Sequence, residues 1–127
     1  MILATLDTGA LIAMERQKAR GLMLLRAARE HRAQLLVITP VMAEWWRGSS
    51  ELRERIKTAV TLVPFPVRAA QAAGVALGKL RPDAGMAIDV MVMAYAATLG
   101  GALVYTSDLD DLQVIGRHFP EVRLLGV

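Results

Sequence analysis

The chain has 127 residues, 54% hydrophobic and 21% charged, with 15 Lys and Arg against 12 Asp and Glu, a net charge of +3 and no cysteine. That composition fits a single folded domain over residues 1–127 and excludes a disordered chain, and no apolar run reaches the roughly 18 residues of a membrane span. The missing cysteines exclude disulfides, thiolate catalysis and zinc-thiolate sites, and an N-terminus that enters an apolar run without a basic region points to a cytoplasmic protein with no membrane association.

Ile2-Leu3-Ala4-Thr5-Leu6 reads as a buried strand that delivers Asp7, the only charge before Glu15, to a break at Thr8-Gly9. A short helix is predicted from there to about Glu15. A longer one covers Lys18 to His31, with Leu22, Leu25, Ala28 and Arg29 marking apolar and basic faces and the apolar stripe turned to a sheet. Gln34 to Ile38 is a second buried strand. Thr39 and Pro40 then supply an N-cap and a first-turn proline for a helix through Arg47, and this helix carries Glu44. Gly48-Ser49-Ser50 ends it and caps the next, in which Glu51 and Glu54 lie near the positive end of the dipole and Lys57 near the negative end.

Ala59 to Phe65 is a third strand candidate, and Pro66 opens a helix of small residues to about Leu80. Arg81-Pro82-Asp83 reads as a loop. Ala84 to Leu99 is apolar nearly all round, the composition of a helix buried against several neighbours, and Gly100-Gly101 stops it. Ala102 to Thr106 and Val122 to Leu125 are two further strands, with a helix between them starting near Asp108. Strands alternating with helices predict an α/β fold whose parallel sheet is covered on both faces.

Four acids stand alone in apolar surroundings. Besides Asp7, Glu44 is the only charge between Arg32 and Arg47, Asp89 the only one between Asp83 and Asp108, and Asp108 closes the last long apolar run. Asp7 also fits a helix N-cap, Glu44 a surface partner for Arg47, and Asp108 with Asp111 a cap followed by a first-turn acid. Asp89 resists such an explanation, because a buried carboxylate needs a partner and no Lys or Arg lies within a helical turn of it. A cation bound jointly by Asp7, Asp89 and Asp108 would account for the isolated acids together. Oxygen ligands, with only His31 and His118 to add nitrogen, favour Mg²⁺ or Mn²⁺ over Zn²⁺.

The basic residues concentrate in the N-terminal half, from Arg16 through Arg20, Arg26, Arg29 and Arg32 to Arg47, Arg53 and Lys57. They form either a footprint for a polyanion or ordinary solvated helix faces. Trp45-Trp46 and the methionines, three of them between Met86 and Met93, suit core or subunit contact better than base stacking or a cofactor box. Both histidines read as surface residues.

Leu6-Asp7-Thr8, Ala43-Glu44-Trp45-Trp46-Arg47-Gly48, Ile88-Asp89 and Thr106-Ser107-Asp108-Leu109-Asp110-Asp111-Leu112, in this order and spacing, resemble a PIN domain, in particular the VapC-type ribonuclease toxins of prokaryotic toxin-antitoxin pairs. The resemblance covers nearly the whole chain. It implies a three-layer α/β/α sandwich with about five parallel strands in the order 3-2-1-4-5. It further implies that Asp7, Glu44, Asp89 and Asp108 hold Mg²⁺ or Mn²⁺, with Asp110 or Asp111 assisting and the Thr8 and Thr106 hydroxyls steadying the acids. The implied activity is metal-dependent endoribonuclease cleavage of RNA phosphodiesters, with Arg47 and Arg53 as RNA-binding candidates, a cognate VapB-like antitoxin as partner and a homodimer as the assembly.

Two other Asp-centred α/β classes fit less well. A haloacid dehalogenase-type phosphatase needs a second Asp where Gly9 stands, and a response-regulator receiver needs an acidic pair near the first strand and a Lys after the last. The alternative within the resemblance is a catalytically silent PIN-type module that binds RNA or protein. Retention of four acids argues against it, since such a module would gain stability from apolar replacements.

Overall fold

The computed structural model describes residues 1–80 and 86–127, and within them strands and helices follow one another as expected. The order is β1 (Ile2–Leu6), α1 (Thr8–Glu15), α2 (Ala19–Arg29), β2 (Ala33–Ile38), α3 (Thr39–Trp45), α4 (Glu51–Ala59) and β3 (Thr61–Val63), then α5 (Val67–Leu80), α6 (Ala87–Thr98), β4 (Leu103–Thr106), α7 (Leu109–Gly116) and β5 (Arg123–Gly126). The strands form one sheet in the order β3-β2-β1-β4-β5, with every neighbouring pair parallel. Leu35 to Ile38 are all buried, and successive strand residues face opposite sides, so helices cover both faces of the sheet at its centre. The fold is the predicted PIN-like three-layer sandwich.

Several local assignments shift for identifiable reasons. Thr39 is not a cap: Ile38 occupies that position without a side-chain bond, and the Thr39 hydroxyl accepts the Phe65 N–H at 3.1 Å, tying α3 to the segment after β3. Strand β3 is three residues long rather than seven, because α4 runs on to Ala59 and the strand has a neighbour on one side only. On α2 the buried residues are Gly21, Leu24 and Leu25, while Leu22 faces water. Gly21 is required there, since a Cβ would stand 2.9 Å from the Met14 backbone nitrogen where α1 and α2 cross. The predicted loop at Arg81-Pro82-Asp83, and the Ala84 start of the following helix, lie outside the described residues.

Ser50 caps α4 by accepting the Arg53 N–H at 3.1 Å, as its sequence position predicts. Gly100 and Gly101, at φ +69° and +100°, end the α6 segment in a conformation that glycine adopts without strain. Trp45 and Met93 belong to the core, Trp46 is half-buried with Lys57 Nζ 5.1 Å from its ring centroid, and the two Trp rings meet edge to face with centroids 5.7 Å apart. His31 and His118 are exposed. No helix among the described residues is long and apolar enough to cross a membrane.

Candidate active site

Adjacent parallel strands β1 and β4 pair Leu6 with Tyr105, so Asp7 and Thr106 leave the sheet side by side. From β1 the chain next builds toward β2 on one side and later returns to β4 on the other. Such a reversal opens a crevice at the carboxyl ends of the strands. Asp7 sits in that crevice as the N-cap of α1, its Oδ1 accepting the Ala10 N–H at 2.8 Å. Asp108 is the N-cap of α7, and its own N–H donates to the Thr106 hydroxyl oxygen at 2.9 Å. The capping reading of each acid is therefore correct, and it does not compete with a second role, since a carboxylate has several acceptor positions.

Glu44 on α3 and Asp89 in the first turn of α6 complete the group. All four acids line one cleft of about 600 Å³ together with Thr8, Gly9, Glu15, Arg16, Arg47, Arg53 and Ser107. The Thr8 hydroxyl donates to the Glu44 carboxylate. Arg47 does not pair with that carboxylate: its Nε–H goes to the Glu44 backbone carbonyl at 3.3 Å. Among the described residues no Lys or Arg forms a salt bridge with any of the four.

The electrostatics follow from that isolation. Burial pushes the Asp7 carboxyl above its ordinary value, the Thr106 hydroxyl and Ala10 amide pull it down, and the charges of Asp108 and Glu44 raise it again. Asp89 is pushed up to about 6, first by burial and then by repulsion from Asp7, Glu44, Asp108 and Asp111. Asp111 is raised by its hydrogen bond with Asp108 and by that residue's charge, whereas Asp110 turns into a neighbouring hollow with Arg20 and Val127. Of the two accessory acids it is Asp111 that stands within the field of Asp89.

Among the described residues no three acid or histidine side chains stand, as placed, where they could hold a metal ion together. The donor set nonetheless fits a hard divalent cation. It is all oxygen, its members repel one another, and among the described residues no counter-charge is paired with them. Thr8 and Thr106 each touch the group, Thr8 through Glu44 and Thr106 through Asp108 and Asp7. Of the cleft's lining, Arg16 belongs to the basic run and Ser107 to the motif around Asp108, but nothing in the sequence singled out Glu15. Gly9 allows α1 to start against the β4–α7 turn.

No protein-family model and no curated protein matches the chain. Solved structures do. The chain aligns over 99% of its length with 99% of a chain in VapBC2 from Rickettsia felis bound to a DNA fragment from their promoter, at 14% identity and a TM-score of 0.71. DNA-bound VapBC from Salmonella typhimurium matches over 99% and 98% of the two chains at 15% identity and a TM-score of 0.68. VapBC-1 from nontypeable Haemophilus influenzae matches over 98% of each at 15% identity and a TM-score of 0.65. Such end-to-end likeness at low identity shows a shared PIN-like fold.

Proposed function

We propose that this chain is a Mg²⁺- or Mn²⁺-dependent endoribonuclease, the VapC-like toxin of a toxin-antitoxin pair. The observation that carries the proposal is the convergence of Asp7, Glu44, Asp89 and Asp108, from four separate elements, on one cleft, with no salt bridge to any of them among the described residues. A binding module has no use for that repulsion, whereas a cation relieves it.

Asp7, Asp89 and Asp108 would hold the ion, with Glu44 as the exposed fourth ligand and Asp111 the nearer accessory acid. When bound, a divalent cation supplies positive charge for the phosphate and lowers the pKa of water for attack. The chain supplies the rest. The caps at Asp7 and Asp108 hold two carboxylates rigidly at strand ends, Thr8 and Thr106 fix the hydroxyl contacts, and an acid of the group takes the proton of the attacking water. Arg16, Arg47 and Arg53 line the same cleft and offer contacts to phosphates flanking the cut. RNA in single-stranded or looped form suits an open cleft, because its backbone is accessible there.

An antitoxin partner belongs to this proposal, supported by the VapBC assemblies that the chain resembles in fold. A guanidinium from such a partner can enter the acidic cleft and exclude the cation. The test compares wild type, Asp7→Asn and Asp89→Asn on cellular RNA with Mg²⁺, Mn²⁺ or chelator. Metal-dependent cleavage lost in both variants is expected. Cleavage that persists in chelator or survives both substitutions would overturn the mechanism, and a wild type inert under all conditions would favour the silent binding module.

A further inference from the structure

Beside the four acids runs a network that metal binding does not use. Glu15, the last residue of α1, accepts two hydrogen bonds on one carboxylate oxygen, from the Trp45 indole N–H and from Arg53 Nε–H, the second at 3.2 Å. Arg53 also donates from Nη1 to the Gly48 carbonyl at 2.9 Å, where the chain turns at φ +104°. The Glu15 and Arg53 side chains are only 22% and 25% exposed, and both line the cleft. The end of α1 is thus joined through one carboxylate to the end of α3 and the start of α4, 30 and 38 residues on.

An arginine beside unpaired carboxylates is ordinarily drawn to them, which here would neutralise the acids a cation needs. Here the Arg53 guanidinium is bonded to Glu15 instead. The group is planar with N–H donors in a fixed fork, so two anchored bonds set the direction of the remainder, which make no hydrogen bond among the described residues. A pre-set fork loses little freedom on meeting a phosphate and can engage two of its oxygens. We infer that Glu15 is a positioning residue that holds Arg53 as a fixed fork for an RNA phosphate flanking the cut, an inference that rests on the ribonuclease proposal.

The sign of one substitution separates this from simple electrostatics. Removing an acid from a site that takes a polyanion should tighten RNA binding; removing a positioning acid should weaken it. The probe is a labelled, randomised single-stranded RNA, with binding read by anisotropy in chelator and kcat and KM read in Mg²⁺. Glu15→Ala is expected to weaken binding and raise KM about ten-fold with kcat within about two-fold. Glu15→Gln, whose Oε1 can accept both bonds, should stay within about three-fold of wild type. Arg53→Lys, which keeps the charge and loses the fork, should resemble Arg53→Ala, and Arg55→Ala on the outer face of α4 serves as the charge-loss control. Binding by Glu15→Ala that is unchanged or tighter, or wild-type KM in Arg53→Lys, would overturn the inference and leave the ribonuclease standing. Should Glu15→Ala fail to fold, the lysine variant decides alone. A wild type that neither binds nor cuts the RNA removes both proposals.

Discussion

Gly9 and Ser107 approach so closely that a Cβ on Gly9 would stand 1.9 Å from the Ser107 Oγ and 3.0 Å from its Cβ. Rotating the hydroxyl relieves the first clash but not the second, so a side chain at position 9 must push α1 away from the β4–α7 turn. Asp7 and Asp108 sit on the two sides of that contact. Gly9→Ala should therefore lower stability by about 1–3 kcal/mol, the usual range for overpacking. Adding Ser107→Gly should restore most of the loss, as measured by urea denaturation. A single variant as stable as wild type would show that the turn yields freely.

Without metal, the protein should lose stability as pH rises from about 4 to 6. The Asp89 carboxyl has an ordinary value of 3.8 and is pushed up to about 6 in the fold, so the folded state binds more protons across that window. Its destabilising contribution is absent below the lower value and complete above the upper one. Asp7 shifts in the same direction, whereas exposed Glu30 and Glu54 are lowered by their basic partners and act oppositely at the acid end. The full shift corresponds to about 3 kcal/mol, and partial access of water to Asp89 reduces it to roughly 1–2 kcal/mol. Denaturation of wild type and Asp89→Asn in chelator at pH 4 and pH 7 checks this: the variant should lack most of the wild-type decline.

Mn²⁺ should raise the melting temperature, since an ion that binds only the folded state stabilises it by about 2.7 kcal/mol at a hundredfold excess over Kd. Asp7→Asn and Asp89→Asn should abolish the response, while Asp110→Asn should keep most of it because Asp110 faces the neighbouring hollow. Equal responses in wild type and Asp7→Asn would place any bound ion elsewhere.

A homodimer at micromolar concentration remains the expected assembly, but the structure changes its motive. Trp45 and Met93 are core residues. Exposed apolar residues that a two-fold contact could bury are Met23 on α2, 67% exposed, and Val67 and Val75 on α5, 76% and 60% exposed. Light scattering that reports a monomer across that concentration range would exclude the dimer.

Ser50→Ala should cost about 1 kcal/mol by uncapping α4 while leaving the Mn²⁺ response intact. Equilibrium unfolding with and without the ion separates the two effects.

The order of strands and helices, the stop at Gly100-Gly101, the Ser50 cap and the four isolated acids were legible in the sequence, because each is written in neighbouring residues through apolar runs, capping chemistry or unrelieved charge, whereas the length of β3 was not. Only the tertiary structure decided which groups meet. Nothing local to Thr39 shows that Phe65 will take its hydroxyl, and nothing near Glu15 announces Arg53, 38 residues on, or Trp45, 30 residues on. Leu22 and Leu24 are equally apolar, and their exposure was settled by where Gly21 lets α2 cross α1. Asp110 and Asp111 are chemically alike and adjacent, yet the 100° between successive helical residues puts Asp111 within the field of Asp89 and Asp110 on an adjoining hollow lined by Arg20 and Val127. Local pattern fixes what an element is, but the partners of its polar groups depend on packing between elements far apart in the chain.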